Sequence, residues 1–171
     1  TETAVQYRAL EDIVKHYEAG IVGLKRRIII CCGTGCIANG ALDVHKTLQK
    51  ELAKAGEEVE IELQAELGHA PFEGNYISKS GCQGFCQMGP MIRIEPAGIY
   101  CRVKASDVPE IVQSTIVNGE IVDRLLYVDP ATHKSCRLEH EIPFYTRQQR
   151  IVLKNCTIEP ENIEEYIYNG G

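Results

Sequence analysis

No stretch of this chain is apolar for anything near the roughly 20 residues that a membrane-spanning helix needs, so no span is expected. Lys and Arg are scattered through a chain of net charge −6. No basic stripe points to nucleic acid, and no Lys/Arg cluster points to an anionic membrane, as a partner. The opening segment, TETAVQYRALEDIVKHYEAG, is amphipathic and mixed in charge. It is neither a secretory signal nor an Arg-rich transit peptide, and a cytoplasmic setting is the default. There is no internal repeat. No Ser/His/Asp arrangement or carboxylate pair stands out, so no catalytic residue is assigned. His16, His45, His69, His133 and His140 are dispersed, with no pair at ligand spacing, and read as structural or solvent-facing.

What the chain does have is cysteine: eight in 171 residues. Disulfide scaffolds belong mainly to small secreted domains. In a reducing setting, clustered cysteine points to metal or redox chemistry instead. The hydrophobic share of 44% and charged share of 25% are those of an ordinary globular protein. The length allows one domain with its own core plus an appendage.

Val5, Ala9, Leu10, Ile13, Val14 and Tyr17 recur at helical spacing, with Thr3 and Gln6 as a capping box and Gly20 at the end. Arg27 to Cys31 reads as a buried strand, and Cys32-Gly33-Thr34-Gly35 as a turn. Ala41, Val44, His45, Leu48, Leu52 and Ala55 keep a helical period to Gly56. Val59 to Leu67 alternates as a half-exposed strand does, and Tyr76 to Ser80 is a further strand. Strands at Met91–Glu95 and Ile99–Val103 flank the hairpin turn Pro96-Ala97-Gly98. Asp107 and Glu110 form a capping box for a helix that ends at Asn118-Gly119. The order fits an α/β fold: a thioredoxin-like four-stranded sheet with flanking helices, followed by an extended C-terminal linker. Residues 1–25 are the N-terminal helix, 26–128 the domain, and 129–171 the linker and what it leads into. Asp129 to His133 is linker-like. Ile151–Leu153 is expected as a short strand and Pro160–Tyr168 as a short helix. This tail has too little apolar content for a core of its own, so it is expected to pack on something outside the chain.

The cysteines that carry the chemistry are Cys31, Cys36, Cys82 and Cys86, spaced C-x4-C and C-x3-C. Both pairs lie in Gly-rich loops after strands. If those strands are neighbours, the loops emerge at one end of the sheet and four thiolates converge. Four Cys thiolates are the ligand set of a [2Fe-2S] cluster. Gly33, Gly35, Gly81, Gly84 and Gly89 let backbone N–H groups approach sulfur. Cys36 is expected at the N-terminus of the following helix, whose dipole favours an anion. Structural zinc is a second reading; C-x3-C suits it, and C-x4-C is slightly long for it. A thioredoxin-type thiol centre is a third, without its C-x-x-C. Cys32 competes with Cys31 as ligand. Gly33 to Ala38 also matches the G-x-G-x-x-A dinucleotide fingerprint, with Glu62 or Glu66 as ribose acid, but these lie too far along and Cys82 and Cys86 go unexplained. Cys101 reads as core, and Cys136 and Cys156 carry no motif.

CCGTGCIANGA, SGCQGFCQMGPMIRIEPAGIYCRV and DVPEIV resemble the thioredoxin-like [2Fe-2S] ferredoxin module. The tail EIPFYTRQQRIVLKNCTIEPENIEEYIYNGG resembles the lead-in to the flavin- and NADH-binding subunit of complex I. Together they resemble the beta subunit of NAD-linked, electron-bifurcating [FeFe]-hydrogenases, with NADH-dependent formate dehydrogenases similar. The resemblance implies electron transfer through a [2Fe-2S] cluster held by Cys31, Cys36, Cys82 and Cys86. It implies other iron–sulfur and hydrogenase subunits as partners. In the family the tail leads into a domain that binds FMN and NAD(P) and then into a [4Fe-4S] region. This chain stops at Gly170-Gly171, so those sites are expected in a missing remainder of the subunit.

Overall fold

β1 (Arg26–Cys31) sits at the middle of the sheet because it can bury both of its faces: Ile28, Ile29 and Ile30 are all buried. A continuous apolar run of this kind suits a central strand. The computed structural model describes residues 9–60 and 73–171. At one edge of the sheet lies β2 (Val59–Glu60). Between it and β1 runs β3 (Asn75–Ser80), parallel to β1 in a register that sets Cys31 opposite Ser80. β4 (Ile92–Glu95) lies antiparallel on the other side, and β5 (Gly98–Tyr100) pairs with β4 through the expected hairpin. The order is β2-β3-β1-β4-β5. The thioredoxin-like arrangement of a central sheet and flanking helices is therefore present, with five strands in place of four. The rest of the strand expected to Leu67, and the Thr3–Gln6 capping box, lie outside the described residues, as do Glu62, Glu66 and His69.

Two helices follow β1 before the chain returns to the sheet: the short α2 (Thr34–Ala38) and the long α3 (Ala41–Lys54). α3 turns Ala41, Val44, Leu48 and Leu52 toward the sheet. These positions share one face of a helix, and they join Ile28, Ile30, Ile77, Ile92 and Ile94 in the core. The same core takes Val108 from α4 (Val108–Glu110) and Ile111, Val112 and Ile116 from the wider, π-type turns that continue it over Ile111–Val117. The expected Asp107–Glu110 capping box is not what forms there. Asp107 accepts from the Lys104 backbone N–H at 2.8 Å, and the carboxylates of Asp107 and Glu110 both hold Arg124.

The tail behaves differently from expectation: it packs on this chain. Tyr145 of α5 (Pro143–Thr146) is buried, as are Ile142, Cys156 and Ile158. Tyr17 of α1 (Leu10–Ile21) meets Tyr168 of α6 (Ile163–Tyr168) at 4.9 Å between ring centroids. Glu165, fully buried, pairs with Arg27 of β1. The tail is poor in apolar residues, and polar contacts tie it to the strands: Glu165 to Arg27, Glu139 to Arg93, and Glu159 accepting from the Lys79 N–H at 2.7 Å. Asp129 to His133 is no linker. It is the turn between β6 (Tyr127–Val128) and β7 (Ser135–Cys136), closed by Thr132 donating to Asp129 at 2.6 Å. Ile151–Leu153 forms exposed turns rather than a strand. Among the described residues no helix is long and apolar enough to cross a membrane.

Candidate cysteine metal centre

Adjacent parallel strands deliver their following loops to one end of a sheet. β1 and β3 are such a pair, and the loops after them carry the candidate cysteines. Cys31 closes β1. Cys36 lies within α2, a helix of only five residues, and not at the start of the long helix α3. The dipole argument made for Cys36 loses its footing, because one turn has little summed dipole. Cys82 and Cys86 border the loop that leads to Met88.

The thiols come as two pairs. Cys36 Sγ is 3.4 Å from Cys31 Sγ, and Cys82 Sγ is 3.9 Å from Cys86 Sγ. Two thiolates on one tetrahedral metal, with bonds of about 2.3 Å, sit about 3.8 Å apart. Each pair therefore already has the spacing of two ligands on one metal. Among the described residues no three of Cys, His, Asp or Glu close around a single point.

The two loops touch through their glycines. A Cβ at Gly33 would lie 2.8 Å from Cys82 Cβ and 3.0 Å from Cys82 Cα. A Cβ at Gly35 would lie 3.7 Å from Cys86 Cβ. The first loop thus rests with one glycine on each cysteine of the second. Gly89 closes the site on another side: a Cβ there would fall 2.5 Å from Cys36 Sγ. At Gly33 and Gly89 only glycine fits so close an approach to a cysteine, while Gly35 makes an ordinary contact. The Gly84 N–H donates to Cys82 Sγ at 3.4 Å, the kind of contact that stabilises a thiolate. Four thiols, two metal-spaced pairs and a glycine cradle fit an iron–sulfur group held by four cysteines.

The site has a buried side and an open one. Cys31 and Cys36 are buried, whereas Cys82 and Cys86 are exposed. Burial, then the hydrogen bond and charge of Cys31, push the Cys36 thiol up to about 12. The hydrogen bond between Cys86 and Cys82, followed by the charge of Cys82, raises Cys86. Cys32 is half-buried and raised chiefly by burial, with Cys31, Lys79 and Glu159 as its electrostatic neighbours. Cys31 is the one set against Cys36.

Two supports carry no motif that sequence reasoning could use. Gln83 is only 2% exposed and donates to Ser80 Oγ at 3.0 Å, which ties the Cys82 loop to the end of β3. Its Oε1 has no hydrogen-bond partner among the described residues. Phe85 stacks on Phe144 at 4.1 Å and meets Tyr127 and Tyr145 at 5.5 Å, so aromatics of the C-terminal third clamp the loop. The one available signal was the adjacent aromatic pair Phe144-Tyr145 in the tail. Cys101, Cys136 and Cys156 are each buried. His45 is buried on α3 beside Gln49, and burial, then Lys79, lowers it.

No family model matches the chain. A protein named "Ferredoxin, 2Fe-2S" from Clostridium pasteurianum is 35% identical over 116 residues, which cover 61% of this chain and 98% of the relative. One of the same name from Aquifex aeolicus is 41% identical over 56 residues, covering 32% of this chain and 50% of the relative. Among solved structures, a thioredoxin-like [2Fe-2S] ferredoxin from Aquifex aeolicus aligns at a TM-score of 0.45, with 26% identity over 58% of this chain and 87% of that one. A crystal structure of the wild-type ferredoxin from the same organism gives a TM-score of 0.45 with 25% identity over 58% and 93%. Nearly the whole of the Clostridium ferredoxin is thus contained in this chain at more than one residue in three, and the chain belongs to the [2Fe-2S] ferredoxin family of electron-transfer proteins.

Proposed function

We propose that Cys31, Cys36, Cys82 and Cys86 hold a [2Fe-2S] cluster, through which the chain carries single electrons within an NAD(P)-linked, flavin-containing, electron-bifurcating hydrogenase. The observation that carries the cluster reading is the pairing of the thiols, at 3.4 and 3.9 Å, across loops joined glycine to cysteine. The cluster, when bound, takes up and releases one electron. The chain's own residues do the rest: Cys31 and Cys36 anchor the buried side, Cys82 and Cys86 reach the surface, and Gly84 brings its N–H to the Cys82 sulfur. The host enzyme rests on the tail's resemblance to flavoprotein lead-in sequence. On that reading FMN, NAD(P) and [4Fe-4S] sites belong to the remainder of the subunit, and the partners are other iron–sulfur subunits. An NADH-dependent formate dehydrogenase or a complex I-like NADH dehydrogenase uses the same support and differs in the partner. A zinc-stabilised interaction module is the reading from another class.

Two measurements test this. Metal and sulfide analysis of the purified protein should find iron and acid-labile sulfide in equal amounts; zinc without iron would favour the interaction module. Purification of the native complex should bring down a catalytic hydrogenase subunit. A formate dehydrogenase subunit in its place would move the host and leave the cluster reading standing.

A further inference from the structure

From Ile142 to Ile158 the chain has no Asp or Glu, yet it carries Arg147, Arg150 and Lys154. The local charge of this stretch is therefore positive within a chain of net charge −6. Within this stretch three consecutive large apolar residues face outward: Ile151 is 78% exposed, Val152 94% and Leu153 41%. The loop is held at both ends. Arg150 lies over the Tyr145 ring at 4.4 Å and pairs with Glu139 at 2.8 Å, while Cys156 and Ile158 are buried on the far side. Apolar side chains are therefore presented on a pinned loop. The loop also borders the open side of the cysteine site: a Cβ at Gly84 would lie 3.6 Å from Leu153, and the Gly84 N–H donates to the exposed Cys82.

We propose that Arg147, Ile151, Val152, Leu153 and Lys154 form the docking surface for a redox partner whose own docking face is acidic around an apolar centre. This rests on the cluster reading above. An apolar centre with a charged rim is the anatomy of a protein interface. Exposed apolar residues in a row need such an explanation, where single ones do not. The charge complementarity names the partner's chemistry: in a chain that is acidic as a whole, this cationic strip steers an acidic face to the end where Cys82 and Cys86 are exposed. Arg147 also lies near Asp129, whose acidity it increases, so Lys154 is the freer of the two rim cations. A small strip suits the weak, short-lived contacts of electron transfer. The transfer is of one electron: the cluster in this protein is oxidised and the partner's cofactor is reduced.

The test uses the reduced holoprotein and two acceptors, ferricyanide and a purified acidic, FMN-containing flavodoxin. Wild type, Val152→Asp and Lys154→Glu are compared by stopped flow at several ionic strengths. The wild-type rate with flavodoxin should fall as salt rises, and each variant should slow it roughly tenfold. Ferricyanide, which needs no docking, should oxidise all three alike. A flavodoxin rate indifferent to both substitutions would overturn the docking surface alone. So would sedimentation showing the strip buried in a homodimer that Val152→Asp dissolves. A protein that ferricyanide cannot oxidise would overturn the cluster reading and this surface together.

Discussion

On the proposed cluster reading, Cys36 is a ligand whose thiol proton a metal has to displace. Its thiol is held up to about 12 by burial and then by Cys31. A metal must displace that proton, so loading the site releases protons into solution. Cys31 and Cys32 divide cleanly on geometry, since Cys31 alone of the two is set against Cys36. Cys31→Ser should abolish iron and sulfide incorporation, while Cys32→Ser should leave both, as read by metal and sulfide content. The reverse result would exchange the ligand. Gly89→Ala places a methyl 2.5 Å from Cys36 Sγ. That site cannot yield without moving a ligand, so the variant should lose its visible absorption faster than wild type under a chelator. Gln83→Leu removes one buried hydrogen bond, worth about 1 kcal/mol. Amide exchange over residues 81–84 should quicken roughly fivefold with the sheet unaffected, and uniform protection would show that Gln83 does not hold the loop.

At the scale of elements, the tail is the part that determines how well the rest holds. Glu165 is fully buried against Arg27 and also accepts from the Glu159 N–H at 2.9 Å. Removing one partner of a buried pair leaves the other uncompensated, at about 3–5 kcal/mol. Glu165→Ala should therefore lower the melting temperature clearly and release α6 from α1; an unchanged melting curve would place the tail's stability elsewhere. The β6–β7 turn gives the pH test. Thr132 O–H, then the Ala131 N–H, donate to Asp129 and hold its carboxyl below its usual range. A carboxylate with a depressed folded pKa stabilises above the ordinary carboxylate range, near about pH 4, and loses that contribution as pH falls through its folded value. Asp129→Asn should flatten the acid side of the melting-temperature profile. Much of the domain was readable: the run Ile28-Ile29-Ile30, the helical period from Ala41 to Leu52 and the Pro96-Ala97-Gly98 turn each carry local information. The tail was not. Its few apolar residues, Ile142, Tyr145 and Ile158, follow no period, because they are placed by the surface they cover rather than by an element of their own. The short α2 was missed for a related reason, since one helical turn has no periodicity to detect.

For the whole molecule, the sheet works as a ruler that brings two distant loops to one end. The positions of Cys31 and Cys36 relative to Cys82 and Cys86 depend on the β1–β3 register, and a one-residue slip would turn every side chain of β1 to the opposite face. The C-x4-C and C-x3-C spacings were legible because chemistry fixes them. The contacts that join them, Gly33 to Cys82 and Gly35 to Cys86, could be seen only once the strands were paired. The central claim is that four thiols so arranged hold a [2Fe-2S] cluster and pass one electron at a time. EPR of the purified protein before and after dithionite tests it most directly. The account predicts silence when oxidised and a one-electron-reduced [2Fe-2S] signal afterwards, absent in Cys31→Ser. A colourless protein with stoichiometric zinc and no EPR signal in either state would contradict it.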